Sequence, residues 1–75
     1  MAWQRGKKIT ALWSINETDN AWAWIDGLGW RKCDRRANTT SVLILAATAK
    51  GGGTFVDFNE EMVDGRMSIT EIYVW

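Results

Sequence analysis

The chain has no histidine, no proline and a single cysteine, and these scarcities remove whole classes of function. Without histidine there is no Ser-His-Asp or Cys-His arrangement, and Cys33 would have to be activated by nearby cations alone. The same gaps remove the Cys and His spacings that zinc requires. A lone thiol makes no internal disulfide. Charge of one sign is also missing: nine Lys and Arg balance nine Asp and Glu, so nothing draws the whole molecule toward nucleic acid or an anionic membrane. No run approaches the roughly 20 apolar residues of a membrane span, and no apolar segment of signal-peptide length follows Arg5, Lys7 and Lys8. As written the chain reads as cytoplasmic, although a secreted form with its signal removed would look the same.

Tryptophan, by contrast, is abundant. Six indoles stand in 75 residues: Trp3, Trp13, Trp22, Trp24, Trp30 and Trp75. A domain of this size buries only about 60% of the surface its unfolded chain exposes. It cannot hide that many large rings in one core, so some must face a partner or ligand, where indoles commonly serve as stacking surfaces or anchors.

Periodicity supplies the elements. Ile9, Ala11, Trp13 and Ile15 alternate with Thr10, Leu12 and Ser14, which predicts a strand with Trp13 on the core side. The polar cluster Asn16 to Asn20 is a turn, and Ala21 to Asp26 resumes the alternation as the second arm of a hairpin. There Trp22 and Trp24 project side by side about 7 Å apart. Either they face the core while Ala21 and Ala23 look outward to a close neighbour, or the reverse holds and the indoles form a platform. Gly27 to Gly29 break the strand, and Trp30 to Cys33 form a short third one. Asn38, Thr39, Thr40 and Ser41 offer capping side chains for a helix from about Thr40 to Lys50, with Gly51 as its stop. Thr54 to Phe58 and Met67 to Trp75 are the last strands, joined across Asp64-Gly65, with Glu60 and Glu61 lengthening the loop beyond the tightest class. The order is β-β-β-α-β-β in one domain, residues 1–75, without repeats. It forms an α+β, mainly antiparallel fold, a small barrel or curved five-stranded sheet with one apolar helix.

That helix carries no charge between Ser41 and Ala49, so one small sheet would cover only part of it. Val42, Leu43, Ile44, Leu45, Ala46 and Ala49 are therefore expected at an interface between copies of the chain. The carboxylates Asp19, Asp26, Asp57, Glu60, Glu61 and Glu71 fall on turns and strand faces where solubility accounts for them. The turn Asn16 to Asn20 lacks the pattern of a calcium loop, and Gly51-Gly52-Gly53 follows the helix, so it presents no helix N-terminus to a phosphate. The basic run Arg31, Lys32, Arg35 and Arg36 is interrupted by Asp34 and reads as a solvated loop. Asn16-Glu17-Thr18 and Asn38-Thr39-Thr40 match the glycosylation pattern by chance.

Three strands, a helix ending in Ala49-Lys50-Gly51 and final strands ending in Ile72-Tyr73-Val74 resemble the small OB-like subunits of bacterial toxin pentamers, the cholera-toxin-B and pertussis-toxin type, and related stand-alone proteins. The resemblance covers Ile9 to Trp75. It implies a five-stranded barrel capped by the helix, a ring-like homo-oligomer and a glycan ligand. This chain lacks the disulfide pair and signal segment of the secreted toxins. The function expected is non-enzymatic, without cofactor or metal: glycan recognition by Trp30, Trp24, Trp22, Asp26, Arg31 and Asn20. Sugar C–H faces stack on indoles while short polar side chains take the hydroxyls. A structural protein with the indoles as subunit anchors is the alternative, and single-stranded nucleic-acid binding is a third reading that the zero net charge disfavours.

Overall fold

The structure, a computed structural model, describes residues 2–16, 20–33 and 39–75. Glu17, Thr18 and Asp19 of the polar turn, Asp34, Arg35 and Arg36 of the basic run, and Asn38 lie outside the described residues. Among the described residues the elements are β1 (Ala2–Lys7), β2 (Ile9–Ser14), β3 (Ala21–Ile25), β4 (Gly29–Cys33), α1 (Thr39–Gly52), β5 (Val56–Val63) and β6 (Arg66–Val74). The α+β order expected from Ile9 onward is present, and β1 is an additional strand. Its sequence, AWQRGK, carries no apolar period; it is held by antiparallel pairing to β5, with Trp3 opposite Asn59 and Gln4 opposite Phe58.

All strands join one mixed sheet in the order β1-β5-β6-β4-β3-β2, six strands instead of five. Every neighbouring pair is antiparallel except β4 and β6. A parallel pair needs a long crossover, and α1 lies within it. The two edge strands, β1 and β2, are separated in the chain by Lys8 alone. Laid flat, five gaps of about 4.8 Å would hold those edges roughly 24 Å apart, far beyond the reach of one residue. The sheet is therefore strongly curved, and it stays open because no ladder joins β1 to β2 among the described residues.

Curvature gives the sheet a core face and an outer face. Ile9, Ala21, Ala23, Ile25, Cys33, Val56, Phe58, Ile69 and Ile72 are buried on the core face. Helix α1 lays Val42, Ala46 and Ala49 against them, a one-sided stripe whose alanines permit close approach. Burying Phe58, Ile25, Ile69 and Val56 completely is worth about 1.5–3 kcal/mol each.

Bulges decide which face each residue takes. In β2, Ile9 pairs with Ile25 but Ala11 pairs with Trp24, so one extra residue switches the alternation. Ile9 points to the core while Ala11 and Trp13 turn outward, which overturns the expectation that Trp13 is a core residue. A bulge in β6 does the same: Glu60 pairs with Ile69 and Asn59 with Glu71, so Ile69 and Ile72 both reach the core. In β1 the register slips between Gln4 and Lys7, around Gly6 at φ +63°.

Two terminators differ from expectation. The helix runs through Gly51 to Gly52 and is stopped by Gly53, whose φ of +65° allows Gly53 N–H to bond Lys50 O and Thr54 N–H to bond Ala49 O. Those two bonds cap orphan carbonyls as in the Schellman motif. Asp64 and Gly65, at φ +50° and +77°, form the tightest two-residue hairpin, with Val63 opposite Arg66. Glu60 and Glu61 belong to β5 and do not lengthen the loop.

Candidate ligand-binding face

Strand alternation places the indoles. Ala21, Ala23 and Ile25 of β3 are buried, so Trp22 and Trp24 between them point outward. Of the two arrangements the sequence left open, the platform is the one adopted. The register sets Trp22 opposite Trp13 on β2 and Trp24 opposite Trp30 on β4. On the far side of the sheet, Trp3 lies opposite Asn59, and Asp57 lies opposite Tyr73; all of these alternate with buried Phe58 and Ile72. Trp75 continues from Tyr73. Every one of the six indoles thus stands on the outer face. Trp3, Trp13, Trp24 and Trp30 are 38–42% exposed, and Trp75 is 69% exposed.

The rings form two groups. On β2, β3 and β4, Trp13 stacks on Trp22 with centroids 6.0 Å apart, and Trp30 meets Trp13 and Trp24 edge to face at 6.3 and 5.3 Å. Trp22 Nε1 donates to Asn20 Oδ1 at 2.8 Å. Lys32, buried on this face, lies over the Trp22 ring at 5.9 Å. Aromatic pairs of this geometry contribute about 0.5–1.5 kcal/mol each beyond their buried area.

Of the residues expected to bind ligand, Trp22, Trp24, Trp30 and Asn20 come together here. Asp26 is exposed in the β3–β4 turn, its amide donating to Lys8 O at 2.9 Å. Arg31 does not join them. It shares the core side with Cys33, where Nε donates to Glu60 Oε1 at 2.7 Å and Nη1 reaches the carbonyls of Leu28 and Trp30. Gln4 Nε2 donates to the other Glu60 oxygen at 3.0 Å. Arg31 instead forms a largely buried ion pair with Glu60.

The second group lines a depression of about 260 Å³ formed by Trp3, Arg5, Asp57, Tyr73 and Trp75. The β1 bulge builds it. Gly6 in the left-handed region aims its amide at Asp57 Oδ1, 2.8 Å away, and Trp75 Nε1 donates to Asp57 Oδ2 at 3.1 Å. Arg5 Nη1 stands 3.6 Å from the same oxygen, with its guanidinium over the Trp3 ring at 5.3 Å. Tyr73 packs between the indoles, 5.6 Å from Trp3 and 6.1 Å from Trp75, nearly parallel to the latter. The Gly6 amide, and after it Trp75 and Arg5, hold the Asp57 carboxyl below the usual carboxylate range. Glu71 accepts from Tyr73 OH at 3.2 Å and from Asn59 Nδ2 at 3.1 Å, and the first of these bonds pushes the Tyr73 phenol up.

Sequence reasoning missed this group because β1 has no period to betray it and because Asp57 looked like one of many solvated acids. The available signal was Gly6, a glycine inside an otherwise extended segment, which commonly marks a bulge. The group offers flat aromatic faces, one fixed carboxylate and one solvent-exposed guanidinium beside it, the components of a recognition site.

The remaining reactive group is elsewhere. Cys33 is fully buried; burial pushes its pKa up to about 11 against the opposing charge of Lys32. Among the described residues no three acidic or thiol side chains converge as a metal-binding cluster. No described helix is long and apolar enough to cross a membrane. Comparison with known proteins finds no family whose pattern matches this chain and no characterised protein similar to it.

Proposed function

We propose that this chain is a non-enzymatic binding module whose outer sheet face recognises glycans. The observation that carries the reading is the gathering of all six indoles and Tyr73 on one sheet face, away from the helix that covers the other. An indole stacks on the C–H face of a sugar without any net charge on the protein, which suits a chain of zero formal charge. An OB-like architecture fits the same facts. A single run of chain, β1 and β2, reaches both edges of a curved sheet, and a helix lies in the crossover between the parallel strands β4 and β6. Folds of that kind bind oligosaccharides and oligonucleotides on a strand face and its flanking loops, and a glycan is also what the resemblance to toxin-pentamer subunits implies.

The test is a screen of immobilised glycans and of single-stranded oligonucleotides, read by indole fluorescence and repeated at low and moderate salt. A glycan that binds with little salt dependence supports the reading. Binding only to oligonucleotides, weakening steeply with salt as phosphate contacts require, would replace it with nucleic-acid recognition.

Self-assembly is a second reading, favoured by the exposed side of α1. Val42, Ala46 and Ala49, expected between subunits, are spent on the chain's own sheet and Leu43 packs partly against the same core, but Ile44 is 59% and Leu45 38% exposed. A ring-like homo-oligomer joined there would also present several glycan sites at once and raise avidity. Light scattering on the wild type and on Ile44→Glu decides it: a larger species that the substitution splits supports assembly through α1, and a monomeric wild type at tens of micromolar sinks it.

A further inference from the structure

Resting on the glycan reading above, we propose that the depression between β1, β5 and β6 is a subsite for one neutral hexopyranose ring, held by two adjacent hydroxyls bridging Arg5 and Asp57 and stacked on Trp75. Three observations select that ligand. First, the site carries both signs of charge, so Arg5 repels an organic cation and Asp57 repels a carboxylate, sulfate or phosphate. A hydroxyl pair, which accepts and donates at once, satisfies both side chains.

Second, hydrogen-bonding capacity remains on each partner. An ionised carboxylate has about four lone-pair positions. Asp57 Oδ1 takes the Gly6 amide, while Oδ2 takes Trp75 Nε1 and faces Arg5 Nη1, which leaves acceptor room on Oδ1. Arg5 is 70% exposed and has about five N–H donors, one nitrogen of which is turned to Asp57. The carboxylate is fixed from beneath by a backbone amide and from the side by an indole, so little ordering remains for the ligand to supply. Its depressed pKa keeps it an acceptor in mildly acidic solution as well.

Third, size and shape suit a single ring. At about 260 Å³ the depression falls below the roughly 300–1,000 Å³ of sites that enclose drug-sized ligands. Trp75 is the most exposed of the indoles, and Tyr73 backs it at 6.1 Å with ring planes 12° apart. The group on β2, β3 and β4 differs, because Trp30 turns its plane nearly perpendicular to both Trp13 and Trp24 and the rings contact one another.

Saturation-transfer NMR on the full chain tests the subsite, with methyl hexopyranosides of gluco, galacto and manno configuration as neutral probes and N-acetylneuraminic acid and choline as charged ones. At least one neutral hexoside is expected to bind. Asp57→Ala and Trp75→Ala should each weaken it at least tenfold, and Thr40→Ala on the helix should leave it unchanged. A deoxy analogue lacking one of two adjacent hydroxyls should lose a similar factor. Asp57→Asn keeps an acceptor for the Gly6 amide, so a loss in that variant, measured well below a thermal transition that is lowered but still cooperative, assigns the effect to the ligand contact and not to misfolding. Binding of N-acetylneuraminic acid or choline alone would overturn the proposal. Loss of hexoside binding in Trp30→Ala but not in Asp57→Ala or Trp75→Ala would also overturn it while leaving the glycan reading standing. If neither these probes nor the immobilised glycans bind, both fall together.

Discussion

Glu60 joins three strands at one end of the core. Its side chain is 6% exposed and accepts from Arg31 at 2.7 Å and from Gln4 at 3.0 Å, tying β4 and β1 to β5 at one end of the core. Glu60→Ala removes both bonds and leaves the guanidinium, itself only 17% exposed, without its counter-charge. Breaking one partner of a buried ion pair typically costs about 3–5 kcal/mol. Arg31 keeps the carbonyls of Leu28 and Trp30 as acceptors, so the lower end, about 3 kcal/mol, is expected. A chain of this length has roughly 4–11 kcal/mol of total stability at about 0.05–0.15 kcal/mol per residue. The loss is thus a large share of the whole. At about 4–8 °C per kcal/mol for a domain of this size, the melting temperature should fall by roughly 12–24 °C by circular dichroism. The double variant Arg31→Met with Glu60→Leu removes charge and partner together and should recover most of the loss, because apolar replacement of a buried pair is often neutral or stabilising. A drop of less than about 5 °C in Glu60→Ala, or a double variant no more stable than the single one, would refute this account of the pair.

Other outcomes follow from the same geometry. Gly6→Ala forces a Cβ into the left-handed region at φ +63° and should destabilise by about 1 kcal/mol in urea unfolding, the strain of about 1–2 kcal/mol being partly offset by a less flexible unfolded chain. Asp57 has a depressed folded-state pKa, so its contribution to stability is present above the unfolded value of about 4 and is lost as pH falls through the folded one. The melting-temperature gap between wild type and Asp57→Asn should therefore be full at pH 7 and close on acidification below about pH 4; a gap that persisted in acid would refute the charge-based account. Cys33, buried and with its thiol pushed up to about 11, should resist iodoacetamide at pH 8 in the native protein and react fully in denaturant; rapid native labelling, followed by mass spectrometry, would contradict that burial.

Much of the architecture was written locally. Ala21-Trp22-Ala23-Trp24-Ile25 alternates without interruption, so the hairpin arm was readable from composition and period alone, and after Ser41 the β-branched start also suited a strand while the alanine-rich second half favoured the helix that forms. What the local pattern could not state was direction across the sheet. Small Ala21 and Ala23 are as suited to an outer surface as to a close-packed core, and only the cover provided by α1 turns them inward and the indoles out. Single-residue bulges in β2 and β6 reverse a period-two reading beyond them, which is why Trp13 faces outward and why Ile69 and Ile72, on opposite sides by counting, meet in one core.

The candidate site was still less legible, because its parts are far apart in the chain and carry no motif. Trp3, Arg5 and Gly6 come from a segment with no apolar period, Asp57 from β5, and Tyr73 and Trp75 from the chain's last residues. Arg31 shows the converse: in sequence it stands among the indoles, yet alternation sends it to the other face and to Glu60. Composition by itself determined that six indoles could not all be buried and that no histidine stands in the 75 residues. The tertiary structure alone decided that they share one face, since burial on a curved sheet is a property of strand order and register, and those are settled by contacts between residues that the sequence holds far apart.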